Sequence, residues 1–189
     1  PSRSTRSRSS RASWNAGSAG VHFLSRPDLG VGDASTWLVA TDGDGVWRTT
    51  DAGATWDQVN PWGCPHGGNS IYYTSAGVLY MGGYQYPARS EDNGATWEQL
   101  TDGLPYAYYY SVQGDGNALY TAKSFADNGA QYDAPYLTSS EDDGLTWTAY
   151  GGGAQHFDNG PFTMRFDPQH RILYSANWTE GLSALAVTD

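Results

Sequence analysis

The chain has 189 residues, enough for one domain with its own core. Arg3, Arg6, Arg8 and Arg11 are four of its ten basic residues, so the rest carries six basic against twenty acidic groups, a surface that repels nucleic acid and anionic lipid. Charged residues are 16% while aromatics reach 14% and glycines number 24, a mix that suits short strands and tight turns rather than helices.

The first ten residues are basic and read as a solvated terminus. Trp14 follows, in Ala12-Ser13-Trp14-Asn15. Short aromatic and β-branched runs separated by Gly, Asp and Asn then recur to the end, and such runs predict strands. Val21–Leu24, Trp37–Ala40 and Gly45–Arg48 form a first set of three. Ser70–Tyr73, Val78–Met81 and Pro87–Arg89 form a second, and Tyr108–Ser111, Ala118–Thr121 and Pro135–Thr138 a third. Phe162–Arg165 and Ile172–Ser175 begin a fourth, and Leu185–Asp189 stops where the Asp of a further repeat would fall. The sole cysteine, Cys64, allows no internal disulfide. No apolar run has membrane length, and no leader peptide is visible.

Three segments align without gaps at the ends of these sets. They are Thr49-Thr50-Asp51-Ala52-Gly53-Ala54-Thr55-Trp56, Ser90-Glu91-Asp92-Asn93-Gly94-Ala95-Thr96-Trp97 and Ser140-Glu141-Asp142-Asp143-Gly144-Leu145-Thr146-Trp147. The shared pattern is S/T-x-D-x-G-x-T-W. Its aspartates Asp51, Asp92 and Asp142 are placed to accept hydrogen bonds from N–H groups of their own turn. Gly53, Gly94 and Gly144 supply the left-handed backbone that a hairpin turn needs. Trp56, Trp97 and Trp147 open the next strand and are expected to pack between neighbouring sheets. These nine residues are therefore read as structural.

The pattern resembles the Asp box of the bacterial neuraminidase repeat, found in sialidases, xyloglucanases, sortilin-type receptors and photosystem assembly factors. The resemblance implies an all-β fold, a β-propeller whose blades are four-stranded antiparallel sheets with strands A to D. Trp14 lies about one period ahead of Trp56, and Ser7–Arg11 is a degraded box without Asp or Gly. The count is thus four A-B-C sets and four D strands, with the N-terminal D strand belonging to the C-terminal set. The expectation is a single domain over 1–189: four blades closed by pairing of the terminal strands, which removes open sheet edges. A part of a larger six- to eight-bladed ring, or a homodimer completing eight blades, are the alternatives.

In such a fold B–C and D–A loops share one face, and the boxes lie on the other. The candidate ligand-binding residues on the loop face are Trp62, His66, Tyr84, Tyr86, Tyr106, Tyr132, His156 and Trp178. Flat rings beside amides and acids suit sugars, which offer apolar C–H faces and dense hydroxyls. Asp127, Asp158 and Glu180 are the candidate catalytic carboxylates, because glycoside hydrolysis needs two flanking the bond. Trp178 near Glu180 would desolvate it, which suits an acid. Sialidase activity is not expected. The family clamps its substrate with three arginines on the active face, whereas Arg48, Arg89, Arg165 and Arg171 fall on the box side. Asp42–Gly45 and Gly114–Asn117 lack the full ligand spacing of a calcium loop and read as turns. No cofactor or metal is expected; His66 and His156 with Asp158 form a weaker metal-ligand combination. Two functions stand: a secreted or cell-surface module, monomer or homodimer, that binds a carbohydrate or protein ligand without nucleic-acid or membrane partners, or a glycoside hydrolase.

Overall fold

The computed structural model describes residues 22–24, 35–41, 44–62, 71–124, 137–150, 161–177 and 181–188. They form fifteen strands in four sheets. The first sheet holds β1 (His22–Leu24), β2 (Trp37–Thr41), β3 (Gly45–Thr49) and β4 (Asp57–Asn60). The second holds β5 (Tyr72–Tyr73), β6 (Leu79–Met81), β7 (Ala88–Ser90) and β8 (Glu98–Gln99). The third holds β9 (Tyr108–Gly114), β10 (Leu119–Ser124), β11 (Leu137–Ser140) and β12 (Thr148–Ala149). In the fourth, β13 (Pro161–Asp167), β14 (Ile172–Asn177) and β15 (Gly181–Ala186) are the described strands. Within each sheet sequence neighbours pair antiparallel, so every sheet is a meander, in the expected A-B-C-D order in the first three and A-B-C among the described strands of the fourth. The sequence-predicted Trp14 strand, and with it closure of the ring by the N terminus, lies outside the described residues.

Side chains from adjacent sheets interlock in chain order. Leu38, Ala40 and Val46 of the first sheet meet Leu79, Met81 and Ala88 of the second, with Trp97 packed against them. Tyr80 and Val78 of the second meet Tyr109, Val112 and Leu119 of the third, with Trp147 buried among them. Tyr120, Ala122 and Leu137 of the third meet Met164 and Leu173 of the fourth. The first strands of the second, third and fourth sheets lie side by side, β9 packing against both β5 and β13. The middle strands β6 and β10 are buried on both faces, which explains their continuous apolar runs in place of alternation.

The three S/T-x-D-x-G-x-T-W segments fold alike at the turns between third and fourth strands. The two residues after each Asp have positive φ: Ala52 58° and Gly53 89°, Asn93 58° and Gly94 77°, Asp143 62° and Gly144 80°. The N–H of Ala54, Ala95 and Leu145 donates to the carbonyl of Asp51, Asp92 and Asp142, each at 3.3 Å. Two successive left-handed residues closed by that bond make a type I′ turn, which matches the twist of the flanking strands. Each Asp Oδ1 accepts the Thr N–H at 2.8 Å, and Oδ2 accepts the Thr hydroxyl at 2.6–2.7 Å. The leading Thr49, Ser90 or Ser140 hydroxyl donates to Oδ1 and accepts the Gly N–H at 2.9 Å. Each Trp Nε1 donates back to the Gly carbonyl.

One reading of the sequence is corrected by register. Leu173 pairs with Leu185 as Leu119 pairs with Ser140 and Leu79 with Ser90. The place of the box aspartate in the fourth sheet is therefore Val187, which is buried, and not a position at the end of the chain. An apolar residue there cannot accept the turn's hydrogen bonds, so the motif ends with the third sheet.

Candidate functional site

Antiparallel meanders sort the connections onto two faces. The turns between first and second strands and between third and fourth strands lie on one; the remaining loops lie on the other. The corner face is chemically committed. The hydroxyls of Thr49 and Thr55 and the Thr55 N–H hold the Asp51 carboxyl down to about 2. Thr146 and Ser140 keep Asp142 below the usual carboxylate range. Partial burial opposes the shift at Asp92, but bonds from Thr96 and Ser90 outweigh it and hold its carboxyl low too. A carboxyl already saturated by its own turn makes a poor proton donor or nucleophile.

The arginines beside the corners are also spent. The buried Arg89 pairs with Glu98 at 2.8 Å, Asp143 at 3.0 Å and Glu91. Asp143 belongs to the next sheet's corner, and Tyr80 donates its hydroxyl to the same carboxylate and to the Asp143 carbonyl. Burial, reinforced by that carboxylate, pushes the Tyr80 hydroxyl pKa upward. Arg48 reaches the next corner likewise, donating to the Asn93 carbonyl at 3.1 Å. Arg171 donates to Asp115 of the third sheet at 3.3 Å. Asp115 caps its own turn, accepting the N–H groups of Asn117 and Ala118, as expected for Gly114–Asn117. Four basic side chains placed on this side by sequence thus include three that clasp one sheet to the next.

The opposite face carries the aromatic loops. Tyr84 and Tyr86 lie between β6 and β7, and Tyr106 lies between β8 and β9. Tyr86 and Tyr106 meet edge to face with centroids 5.9 Å apart, and Tyr84 meets Tyr108 in the same way at 5.1 Å. Tyr106 is 54% exposed, so the cluster offers a ring to solvent. The backbone holds it in place. Gly83 and Tyr109 exchange hydrogen bonds at 2.8 and 2.9 Å, and Ala107 donates to the Gln85 carbonyl at 3.2 Å. Gly82 permits that approach, since a Cβ there would lie 2.1 Å from the Tyr109 carbonyl oxygen. The loop of one sheet is thereby stitched to the inner strand of the next, and Tyr109 below it is locked by its hydroxyl to the Pro105 carbonyl at 2.7 Å.

Of the eight candidate ligand-binding residues, the structure brings Tyr86 and Tyr106 together and places Tyr84 beside Tyr108. Trp62 is 37% exposed at the end of the first sheet, its N–H bonded to Asn60 Oδ1 at 2.7 Å. His66, Tyr132, His156 and Trp178, and the carboxylates Asp127, Asp158 and Glu180, lie outside the described residues. Sequence reasoning took Tyr108 as a strand residue and gave Gly82 and Gly83, within the loop it placed on the ligand face, no role of their own. The Gly82-Gly83 pair directly after an apolar strand, and the tyrosine run Tyr106-Ala107-Tyr108-Tyr109-Tyr110, were the available signals.

No family model matches the chain, and no curated protein sequence matches it. Solved structures do. The GH74 xyloglucanase from Xanthomonas campestris superposes with a TM-score of 0.57 at 19% identity, over 82% of this chain and 27% of that one. An ancestral GH74 enzyme gives 0.63 at 16% identity, over 91% and 23%. The GH74 enzyme of Niastella koreensis gives 0.58 at 16%, over 82% and 27%. The chain thus spans about a quarter of the length of these structures, and at such identities the likeness bears on fold alone. Taken with the four meanders and their chain-order packing, it makes this chain a β-propeller built of four-stranded antiparallel blades.

Proposed function

We propose that the chain is an Asp-box propeller module that binds a carbohydrate on its aromatic loop face. One observation carries this reading: the Tyr84, Tyr86, Tyr106 and Tyr108 cluster presents the exposed Tyr106 ring on a backbone stitched across two blades. A rigid, half-exposed aromatic platform with a neighbouring amide, Gln85, suits the C–H face and hydroxyls of a pyranose. On the opposite face the three box carboxylates and Arg48, Arg89 and Arg171 are engaged in turns and clasps. One of the similar structures is a xyloglucanase, so a xyloglucan-type polysaccharide is the first ligand to offer.

A panel of polysaccharides in affinity electrophoresis, run beside a reducing-sugar assay, tests the proposal. Retention without product is expected, and Tyr106→Ala and Tyr86→Ala should each weaken it about tenfold, the usual scale for losing a central aromatic contact. Failure of every polysaccharide to retard the protein would remove the reading. The second reading, a glycoside hydrolase using two of Asp127, Asp158 and Glu180, is favoured instead by product that disappears in Glu180→Gln.

A further inference from the structure

We propose that Asn93 is a deamidation site, and that its conversion to aspartate adds a charged clasp between the first and second sheets. Register gives the two sheets the same set of places. Leu38 faces Arg48 in the first as Tyr80 faces Arg89 in the second. Each arginine reaches the left-handed residue ahead of glycine in the next sheet's corner: Arg48 reaches Asn93, and Arg89 reaches Asp143. The second of these clasps is charged. Arg89 meets the Asp143 carboxylate at 3.0 Å, with Glu98 and Glu91 beside it. The first clasp is neutral. Thr50 stands where Glu91 does, and Asn93 stands where Asp143 does. Arg48 donates from Nε to the Asn93 carbonyl at 3.1 Å, and among the described residues it forms no ion pair. The Asn93 side-chain oxygen is buried and has no hydrogen-bond partner. A guanidinium without a carboxylate thus reaches the residue whose amide oxygen is unsatisfied, a pairing that a negative charge at position 93 would complete.

The residue that follows supplies the chemistry. Gly94 has no side chain to hinder its backbone nitrogen from adding to Cγ of the Asn93 amide. The new N–Cγ bond closes a five-membered imide while the Cγ–Nδ2 bond breaks, and the proton of the Gly94 nitrogen leaves on ammonia. Water then adds to Cγ and the N–Cγ bond breaks. One proton of the water returns to the Gly94 nitrogen, the other passes to solvent base, and a carboxylate stays at position 93. Water entering at the main-chain carbonyl instead routes the chain through the side chain. The methylene so added cannot rebuild the turn that Ala95 closes onto the Asp92 carbonyl.

The corner sets the pace of this reaction. Cyclisation needs the Gly94 nitrogen free of its proton, and in the fold that N–H is buried and donates to Ser90 Oγ at 2.9 Å. The Ser90 hydroxyl is fixed in turn by Asp92 Oδ1 at 2.9 Å. The reaction therefore waits for the corner to open locally.

Ageing the wild-type chain at mildly alkaline pH, folded and in urea, tests the proposal. Peptide mapping by mass spectrometry reads Asn93-Gly94 apart from Asn128-Gly129 and Asn159-Gly160. Folded protein should convert Asn93 more slowly than unfolded chain. Ser90→Ala should speed the folded reaction about fivefold, the rate equivalent of one ordinary hydrogen bond. Ser90→Thr should restore the slow rate, since Thr49 holds the Gly53 N–H in the same way at 2.9 Å. An Asn93 that stays intact in every sample, a folded rate equal to the unfolded one, or a Ser90→Thr rate as fast as that of the urea-unfolded chain overturns the proposal. The clasp has its own readout, independent of how Ser90 variants fold. Asn93→Asp should raise the unfolding midpoint of the otherwise wild-type chain and should not raise it in the Arg48→Met background. Equal shifts in the two backgrounds overturn it.

Discussion

The second and fourth sheets share a middle-strand pattern and end in different physics. Leu79-Tyr80-Met81 and Leu173-Tyr174-Ser175 share a pattern and a ladder position, yet Tyr80 is fully buried and Tyr174 is not. The difference is a neighbour. Tyr80 lies under the corner of the third sheet, bonded to Asp143 and packed against Gly144. Among the described residues no such corner lies above Tyr174. Burial in this fold is thus a property of the pair of sheets rather than of the strand, as expected of quasi-one-dimensional repeats whose stability is shared between units and their interfaces.

The largest test of that comparison is to truncate both tyrosines. Tyr80→Ala removes a buried ring and leaves the Asp143 carboxylate without its phenol, so chemical denaturation should show a loss of about 3–5 kcal/mol. Tyr174→Ala removes a ring that is 37% exposed and should cost about 0.5 kcal/mol or less. Equal losses would show that the two tyrosines are buried alike. Arg89→Met comes next. It breaks a buried guanidinium from three carboxylates that are themselves partly exposed, and should cost about 2–3 kcal/mol, below the range for fully buried pairs. Arg48→Met severs only one bond to a carbonyl and should cost about 1 kcal/mol.

Acid should separate the sheets by their corners. The carboxyls of Asp51, Asp92 and Asp142 are all held below their ordinary value in the fold. A group with a depressed folded pKa contributes stability that is present above its unfolded pKa, near 3.8, and lost as pH falls through the folded one. The melting temperature should therefore drop between about pH 4 and pH 2, the window set by Asp51. Asp51→Asn, Asp92→Asn and Asp142→Asn combined should be less stable at pH 7 and show a flatter dependence across that window. An undiminished acid transition in the triple variant would place its cause elsewhere.

How much of this was legible follows from what each residue depends on. The corners were, because their hydrogen bonds lie within eight residues: Asp51 and Gly53 have their assigned roles from local chemistry alone. Strand order was legible too, since meanders follow the chain. The double left-handed step was not, because Ala52 and Asn93 carry no common mark beyond their place before glycine. The clasps were missed for another reason. Arg89 and Asp143 are 54 residues apart, and only the packing of consecutive sheets brings them together. The loop platform was half legible: Tyr84, Tyr86 and Tyr106 stand out as loop aromatics, whereas Tyr108 reads as strand and joins the cluster only through the Gly83–Tyr109 bridge.

The smallest expected effect concerns the other end of the molecule. All three corners place a residue with φ near +60° ahead of glycine, and two use Asn93 or Asp143, whose short polar side chains tolerate that conformation. Ala52 does not share the tolerance, yet adopts φ 58° in the same turn. Its side chain is exposed, so nothing in packing explains the choice. Ala52→Asn retains the N–H that donates to the Ser35 carbonyl and restores the favoured type I′ pair, so it should stabilise the protein by about 0.5–1 kcal/mol. The gain should appear in the unfolding midpoint, with the denaturant slope unchanged. A midpoint that does not rise would show that the left-handed step costs this corner nothing, and that the preference for Asn before glycine does not govern it.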